Sequence, residues 1–168
     1  MKFDHNNISP LDSRYANKIS SFRENFSESA LIKIRFEIEI EWILFLCNKL
    51  SKTFKPLSKN SIEKIINFKN KFDNKSVLRI KKIEATTNHD VKAVEYFIRD
   101  YFKKDKVLSS YIHLIHFGLT SEDINSLSYA VMIKKGITLY VNEISTLNKV
   151  LKSYSKKWAN IAFLARTH

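Results

Sequence analysis

Between residues 27 and 50 the chain has neither glycine nor proline, and its centre alternates strictly. Lys33, Arg35, Glu37, Glu39 and Glu41 are charged; Ile34, Phe36, Ile38, Ile40 and Trp42 between them are apolar. A period of two reads as a half-buried strand. The run is too long for one ordinary strand, however, and no turn residue splits it into two. Ser27 or Ser29 can cap a helix start, and Lys33 with Glu37 and Arg35 with Glu39 make opposite-charge pairs four residues apart. The segment is therefore read as a helix.

The later pattern is helical more plainly. Lys52 to Lys59, with Pro56, is a connector. Asn60 and Glu63 have the form of a capping box ahead of the stripe Ile62, Ile65, Ile66 and Phe72. A polar turn at Asp73-Asn74 precedes a short helix over 76–86 and another over 88–103, with Val91, Val94, Phe97 and Ile98 on one side. The run from Lys103 to Lys106 reads as a solvated loop. From Ser121 to about Asn160, apolar residues from Ile124 to Trp158 recur at steps of three or four, interrupted by Gly136 alone. This predicts one helix of about 35 residues, or two nearly collinear ones, with Gly136 costing about 1 kcal/mol. A helix of roughly 50 Å cannot bury such a stripe within a chain this size, so it needs helices from further sequence or other subunits. Residues 1–26 are polar and irregular, with a turn signal at Ser9-Pro10.

Composition narrows the fold. Two glycines and two prolines in 168 residues are too few for a sandwich, a barrel or a Rossmann sheet. The expectation is all-α: a small N-terminal helical domain over 1–111, then the start of a long-helix bundle over 112–168, joined near 108–118. An apolar fraction of 44% suffices for a core and argues against disorder. The net charge of +12 suggests nucleic acid or a membrane surface. Scattered lysines on solvated faces explain it as well, and a basic cleft for a polyanionic small substrate fits either reading. The single cysteine, Cys47, reads as a small buried hydrophobe. No apolar leader and no uncharged run of about 18 apolar residues occur, so no membrane span is expected and the cytoplasm is the expected compartment. P-loop, GxGxxG, HExxH and CxxC motifs are absent from the sequence.

Four polar clusters fall at element edges. Asp12-Ser13-Arg14-Tyr15 offers an arginine fork suited to phosphate or carboxylate, or is an ordinary loop. Thr86-Thr87-Asn88-His89-Asp90 places hydroxyls, an amide, an imidazole and N–H groups at a helix start, an anion site or a plain cap with Thr87 or Asn88 as N-cap. Gly118-Leu119-Thr120-Ser121-Glu122-Asp123 opens the long helix and is explained by capping. His113 and His116 before it read as packing or surface residues. Arg166-Thr167-His168 would alone be a frayed tail.

Taken together, Ser9 to Tyr15, Thr86 to Glu95, His116 to Asn125 and Arg166-Thr167-His168 resemble successive blocks of adenylosuccinate lyase, in order and at similar spacing. The match is closest to the bacterial type, with its long Asn-His-Asp-Val-Lys-Ala-Val-Glu-Tyr-Phe block. The Thr-Ser-Glu-Asp block alone would indicate only the wider fumarase and aspartase superfamily. The resemblance implies β-elimination of fumarate from adenylosuccinate, giving AMP, and from SAICAR, giving AICAR. It implies His168 as the acid for the leaving nitrogen, Arg14 and Tyr15 as nucleotide contacts, and Asn88, His89 and Asp90 as a second substrate-binding block. Thr120 and Ser121 would hold a carboxylate. It implies no cofactor and no metal, and a homotetramer built on the long helices. The family continues past Arg-Thr-His with Gly-Gln-Pro and a flexible loop carrying the serine base. The chain is accordingly expected to be an incomplete piece, inactive alone. The competing readings are a basic helical nucleic-acid module, using Lys134, Lys135, Lys149, Lys152, Lys156 and Lys157; a lyase acting on argininosuccinate; and a non-catalytic remnant.

Overall fold

The computed structural model describes residues 9–167; the catalytic assignment to His168 lies outside them. Among the described residues every regular element is helical: α1 (Ser20–Phe26), α2 (Glu28–Lys49), α3 (Lys59–Asn70), α4 (Asn74–Thr87), α5 (Asp90–Phe102) and α6 (Ser121–Lys157), with 3-10 turns at Pro10–Asp12, Ala16–Lys18 and Leu108–Leu114. No helix is long and apolar enough to cross a membrane among these residues.

The alternating segment is a helix. Ser27 caps α2, its hydroxyl accepting the Ala30 N–H at 3.2 Å. Alternation survives in a helix because α2 is enclosed, packing against α1, α3, α4, α5 and α6. Apolar residues on several of its sides therefore find apolar neighbours, and Ile32, Phe36, Ile40 and Ile43 are buried. Two of the charged positions, Arg35 and Glu39, are buried as well. Lys33 and Glu37 form the expected surface pair at 3.9 Å, whereas Arg35 and Glu39 direct their charges to other elements instead of to each other.

The core collects around Phe36. Its ring stacks on Phe72 with centroids 4.7 Å apart and meets Phe68 and Phe97 edge-on at 5.1 and 5.8 Å. Ile65 from α3, Ile80 from α4, and Val94, Ile98 and Phe102 from α5 complete it, and Leu108, Leu114 and Ile115 close it off. Cys47 is buried here, as expected, and burial raises its thiol pKa, which keeps it inert.

Several local expectations change. The cap of α3 is Ser58, not Asn60, with its hydroxyl on the Ser61 N–H at 3.2 Å. Asp73 is the N-cap of α4 in a reciprocal box with Ser76, not a turn. The N-terminal stretch expected to be irregular contains α1 and two 3-10 turns. Its Phe26 reaches Gly136, where any Cβ would overlap the phenylalanine ring. The glycine that weakens α6 as an isolated helix thus gives α1 its seat.

α6 is one unbroken helix of 37 residues. It runs antiparallel to α2, since Arg35 bonds Asn125 while Trp42, two turns later, bonds the Phe117 carbonyl. Only its first half has neighbours. From Val141 to Lys157 every residue is exposed, including Ile144, Leu147, Leu151 and Tyr154.

Phe36→Ala should lower the unfolding free energy by about 3–5 kcal/mol, the loss expected for a fully buried aromatic among other rings. Urea unfolding of the parent chain and the variant measures it; a change below about 1 kcal/mol would contradict this account of the core.

Candidate functional site

α4 ends because Asn88 turns left-handed, with φ 50°, its N–H on the Glu84 carbonyl at 2.7 Å. α5 then begins at Asp90 with His89, not Thr87 or Asn88, as its N-cap. The His89 Nδ1 accepts the Lys92 N–H at 3.2 Å. That bond makes Nδ1 an acceptor, so the ring proton sits on Nε2, on a side chain that is half exposed. The Asp90 carboxylate accepts the Val91 N–H through Oδ1 at 2.8 Å. Two helix-start donors that could receive an anion, the Val91 and Lys92 N–H groups, are therefore already taken by Asp90 and His89. What this corner offers a ligand is side chains: an imidazole N–H, the Asn88 amide, and a carboxylate.

α6 begins in the same reciprocal manner. The Thr120 hydroxyl accepts the Asp123 N–H at 3.3 Å, and the Asp123 carboxylate accepts the Thr120 N–H at 2.7 Å. The Thr120 N–H and hydroxyl, the latter donating to the same carboxylate at 2.8 Å, hold the Asp123 carboxyl below its ordinary range. Ser121 is the first helical residue and is half-buried. Before Thr120 the chain reverses through two positive-φ residues, His116 at 61° and Gly118 at 70°. Glycine takes this conformation freely, whereas histidine must be held in it.

α2 does the holding. Glu39, fully buried, accepts the His116 N–H through Oε2 at 3.1 Å and pairs through Oε1 with the ring Nδ1 at 2.6 Å. Glu95 of α5, also buried, stands 3.9 Å from the other ring nitrogen. Lys92, 2.9 Å away, and Arg99, 3.9 Å away, balance the Glu95 charge. One turn earlier on α2, Arg35 gives Nη2 to Asp90 at 2.8 Å and Nε to Asn125 at 3.0 Å. Burial works to raise the Asp90 pKa, but the Val91 N–H and the guanidinium outweigh it and keep the carboxyl below its usual range. For Glu39 the balance goes the other way: desolvation exceeds what His116 returns, and its pKa is raised.

The structure thus brings Asn88, His89 and Asp90 and the Thr120–Ser121 turn onto one frame through α2. It does not bring Arg14 and Tyr15 to them. Both are exposed, with the guanidinium 5.4 Å from the Tyr15 ring centroid and Lys18 5.9 Å from it on the same residue. Ser9, Leu11 and Asp12 line a hollow with Phe26 and Tyr140. Tyr140 is 20 residues down α6 from Thr120, about 30 Å along its axis. Among the described residues no group of three or more metal-ligating side chains is assembled.

Four contributors escaped sequence reasoning: Arg35, Glu39, His116 and, as a partner, Asn125. The available signal was two opposite charges at i and i+4 inside a helix apolar on several sides, which places charge in an interior. His113, read as packing or surface, is exposed; His116 is mostly buried, but as an ion-pair partner.

Because its folded pKa is raised, Glu39 contributes stability at low pH that is lost as pH rises from about 4.5 through that pKa. Asp90, Asp105 and Asp123 act oppositely: their depressed pKa values, about 2 for Asp105, give stability that is lost as pH falls below about 4. Glu39→Gln should therefore gain on the parent as pH rises from about 4.5 to 7 and share its acid limb. Thermal melts across this range test it; parallel profiles would contradict it.

A family model described as "Lyase" matches residues 13–168. The chain is 39% identical over 167 residues to the adenylosuccinate lyase of Legionella pneumophila (strain Corby), covering 97% of this chain and 36% of that protein. It is 38% identical over 168 residues to the enzyme so named in Dictyostelium discoideum and 37% over 166 to that of Escherichia coli K12, each with 96% of this chain and 36% of the relative covered. The chain spans little more than a third of the length of these curated relatives. With the family match running over nearly its whole length, the chain belongs to the lyase family.

Proposed function

We propose that the chain supplies the N-terminal part of an adenylosuccinate lyase, which eliminates fumarate from adenylosuccinate to give AMP and from SAICAR to give AICAR. The observation that carries the reading is that the two helix starts most like that enzyme's blocks, at His89 and at Thr120, are tied to one helix by buried charged bonds. Identity to adenylosuccinate lyases extends over the same residues.

The chemistry assigns roles. β-Elimination builds negative charge beside a carboxylate and needs hydrogen-bond donors there. Thr120 and Ser121 hold the carboxylate beside which that charge develops, a group already charged in the ground state, with Asn88 and the His89 Nε2–H as donors to a second polar group of the substrate. Arg14, a planar fork, and Tyr15 contact the nucleotide. His168 protonates the leaving nitrogen, a task for a group that titrates near neutrality. The base comes from a part of the enzyme outside the stretch matched here. No cofactor or metal has a role in this scheme.

Assembly follows from the same geometry. The exposed α6 stripe, with Tyr140 at 60% and Leu151 at 57% accessibility, fits a homotetramer joined through the long helices. Arg14 and Tyr15, far from Thr120 within one chain, would then complete the site of a neighbouring subunit. We place the division between the two domains at residue 111, near the end of the Phe36-centred core at Ile115. The enzyme would act in the cytoplasm on small molecules. Nucleic-acid binding rests on the +12 charge alone.

The test is a chimera in which this chain replaces the matched third of the Escherichia coli relative. It should release fumarate from adenylosuccinate. In it His168→Ala should cut kcat by about 10²–10⁴-fold with binding retained, while Arg14→Ala and Ser121→Ala should raise KM. A chimera that assembles but releases no fumarate would refute the proposal, and full activity in His168→Ala would remove that assignment.

A further inference from the structure

We infer that Arg35 is a positioning residue that sets the spacing between the Asn88–Asp90 corner and the Thr120–Ser121 turn. The inference rests on the lyase reading above and adds a residue that touches no substrate in it.

The geometry is specific. Arg35 lies on the first half of α2 and is 5% exposed. Its guanidinium reaches two helix starts at once: Nη2 meets Asp90, the first residue of α5, at 2.8 Å, and Nε meets Asn125, in the second turn of α6, at 3.0 Å. Glu39, one turn on, holds the loop before Thr120 through His116, and Glu95 approaches His116 from α5. Arg35 is the group that bonds both helix starts directly. A planar fork with fixed angles between its N–H bonds transmits the position of one start to the other, which a lysine ammonium on a flexible stem cannot do. A neutral isostere would leave Asp90 without its countercharge.

The surrounding groups fix the arginine in place. Asp90 balances it from α5, Asn125 accepts from it on α6, and His89 stands 3.7 Å from the same carboxylate. Two charge-assisted bonds of this kind are shorter and stronger than neutral ones, and a bond lost at one end shifts the other partner. Misplacing a binding corner by about 1 Å is enough to weaken a site far more than the lost bond itself.

The experiment uses the chimera described above, with Arg35→Lys and Asn125→Leu alone and together, each measured for kcat, KM and melting temperature. Both single variants should raise KM for adenylosuccinate by about tenfold, with kcat changed less than threefold, because the groups that Arg35 spaces bind the ground state. The double variant should be no worse than about the poorer single one, since both break the same link. A residue that serves only folding would lower the melting temperature and the yield of active enzyme and leave KM unchanged. KM within twofold of the parent in both single variants, or fully multiplicative losses in the double one, overturns the inference. If Arg35→Lys does not assemble, Asn125→Leu, at a half-buried position, carries the same expectation for KM. A parent chimera without activity overturns the lyase reading and this inference with it; an active parent with unaffected variants overturns the inference alone.

Discussion

Burial of an arginine and a glutamate on the same side of one helix is the constraint from which the rest of this structure follows. Neither Arg35 nor Glu39 has water to solvate its charge, and leaving such a group unpaired in an interior costs several kcal/mol. Each must therefore be met by partners at fixed positions. The partners come from three separate parts of the chain: Asp90 at the start of α5, His116 in the loop before α6, and Asn125 inside α6. Apolar packing around Phe36 brings the helices near one another without fixing their register to within an ångström. The buried charges add the register. They also account for a histidine at φ 61°, a conformation the loop would not keep without the Glu39 carboxylate on both its N–H and its ring.

That arrangement places polar side chains at two neighbouring helix starts and leaves the distal half of α6 bare. The two facts belong together. A site assembled from helix ends has its reactive groups at the periphery of one chain's core, where another chain can complete it. A helix of 37 residues with neighbours along only its first half presents the surface on which other chains can gather. Arg14 and Tyr15, both exposed, suit the proposed sharing of a site between subunits.

Much of this is legible in the amino-acid sequence. The scarcity of glycine and proline gave the all-helical class, Ser27 and Thr120 were among the recognisable caps, and the stripe from Ile124 to Trp158 implied one long helix or two nearly collinear ones, of which the structure has the first. Arg14, Asn88, His89, Thr120 and Ser121 fell in polar clusters visible at element edges, but only the resemblance gave them roles, because each has an ordinary local explanation. What stayed hidden depends on three-dimensional neighbours. Arg35 and Glu39 looked like surface partners of each other, since sequence spacing reports the helix face and not what covers it. His89 was passed over as a cap because an imidazole is outside the usual Ser, Thr, Asp and Asn set. α1 escaped notice because its seven residues have weak periodicity and owe their order to Phe26 seated against Gly136. The glycine that reads as a cost within a helix makes room for a ring that lies 110 residues earlier in the chain.

The central claim is that buried charge on α2 pins the two helix starts. Amide hydrogen exchange at His116 tests it most directly, because this N–H lies in a loop yet is bonded to a fully buried carboxylate. If the claim holds, the His116 amide exchanges only through global unfolding, as slowly as the core of α2, with its rate tracking denaturant in the same way. Exchange at the rate of an exposed loop amide, independent of denaturant, would mean that Glu39 does not hold the turn and that the register of α5 and α6 has another origin.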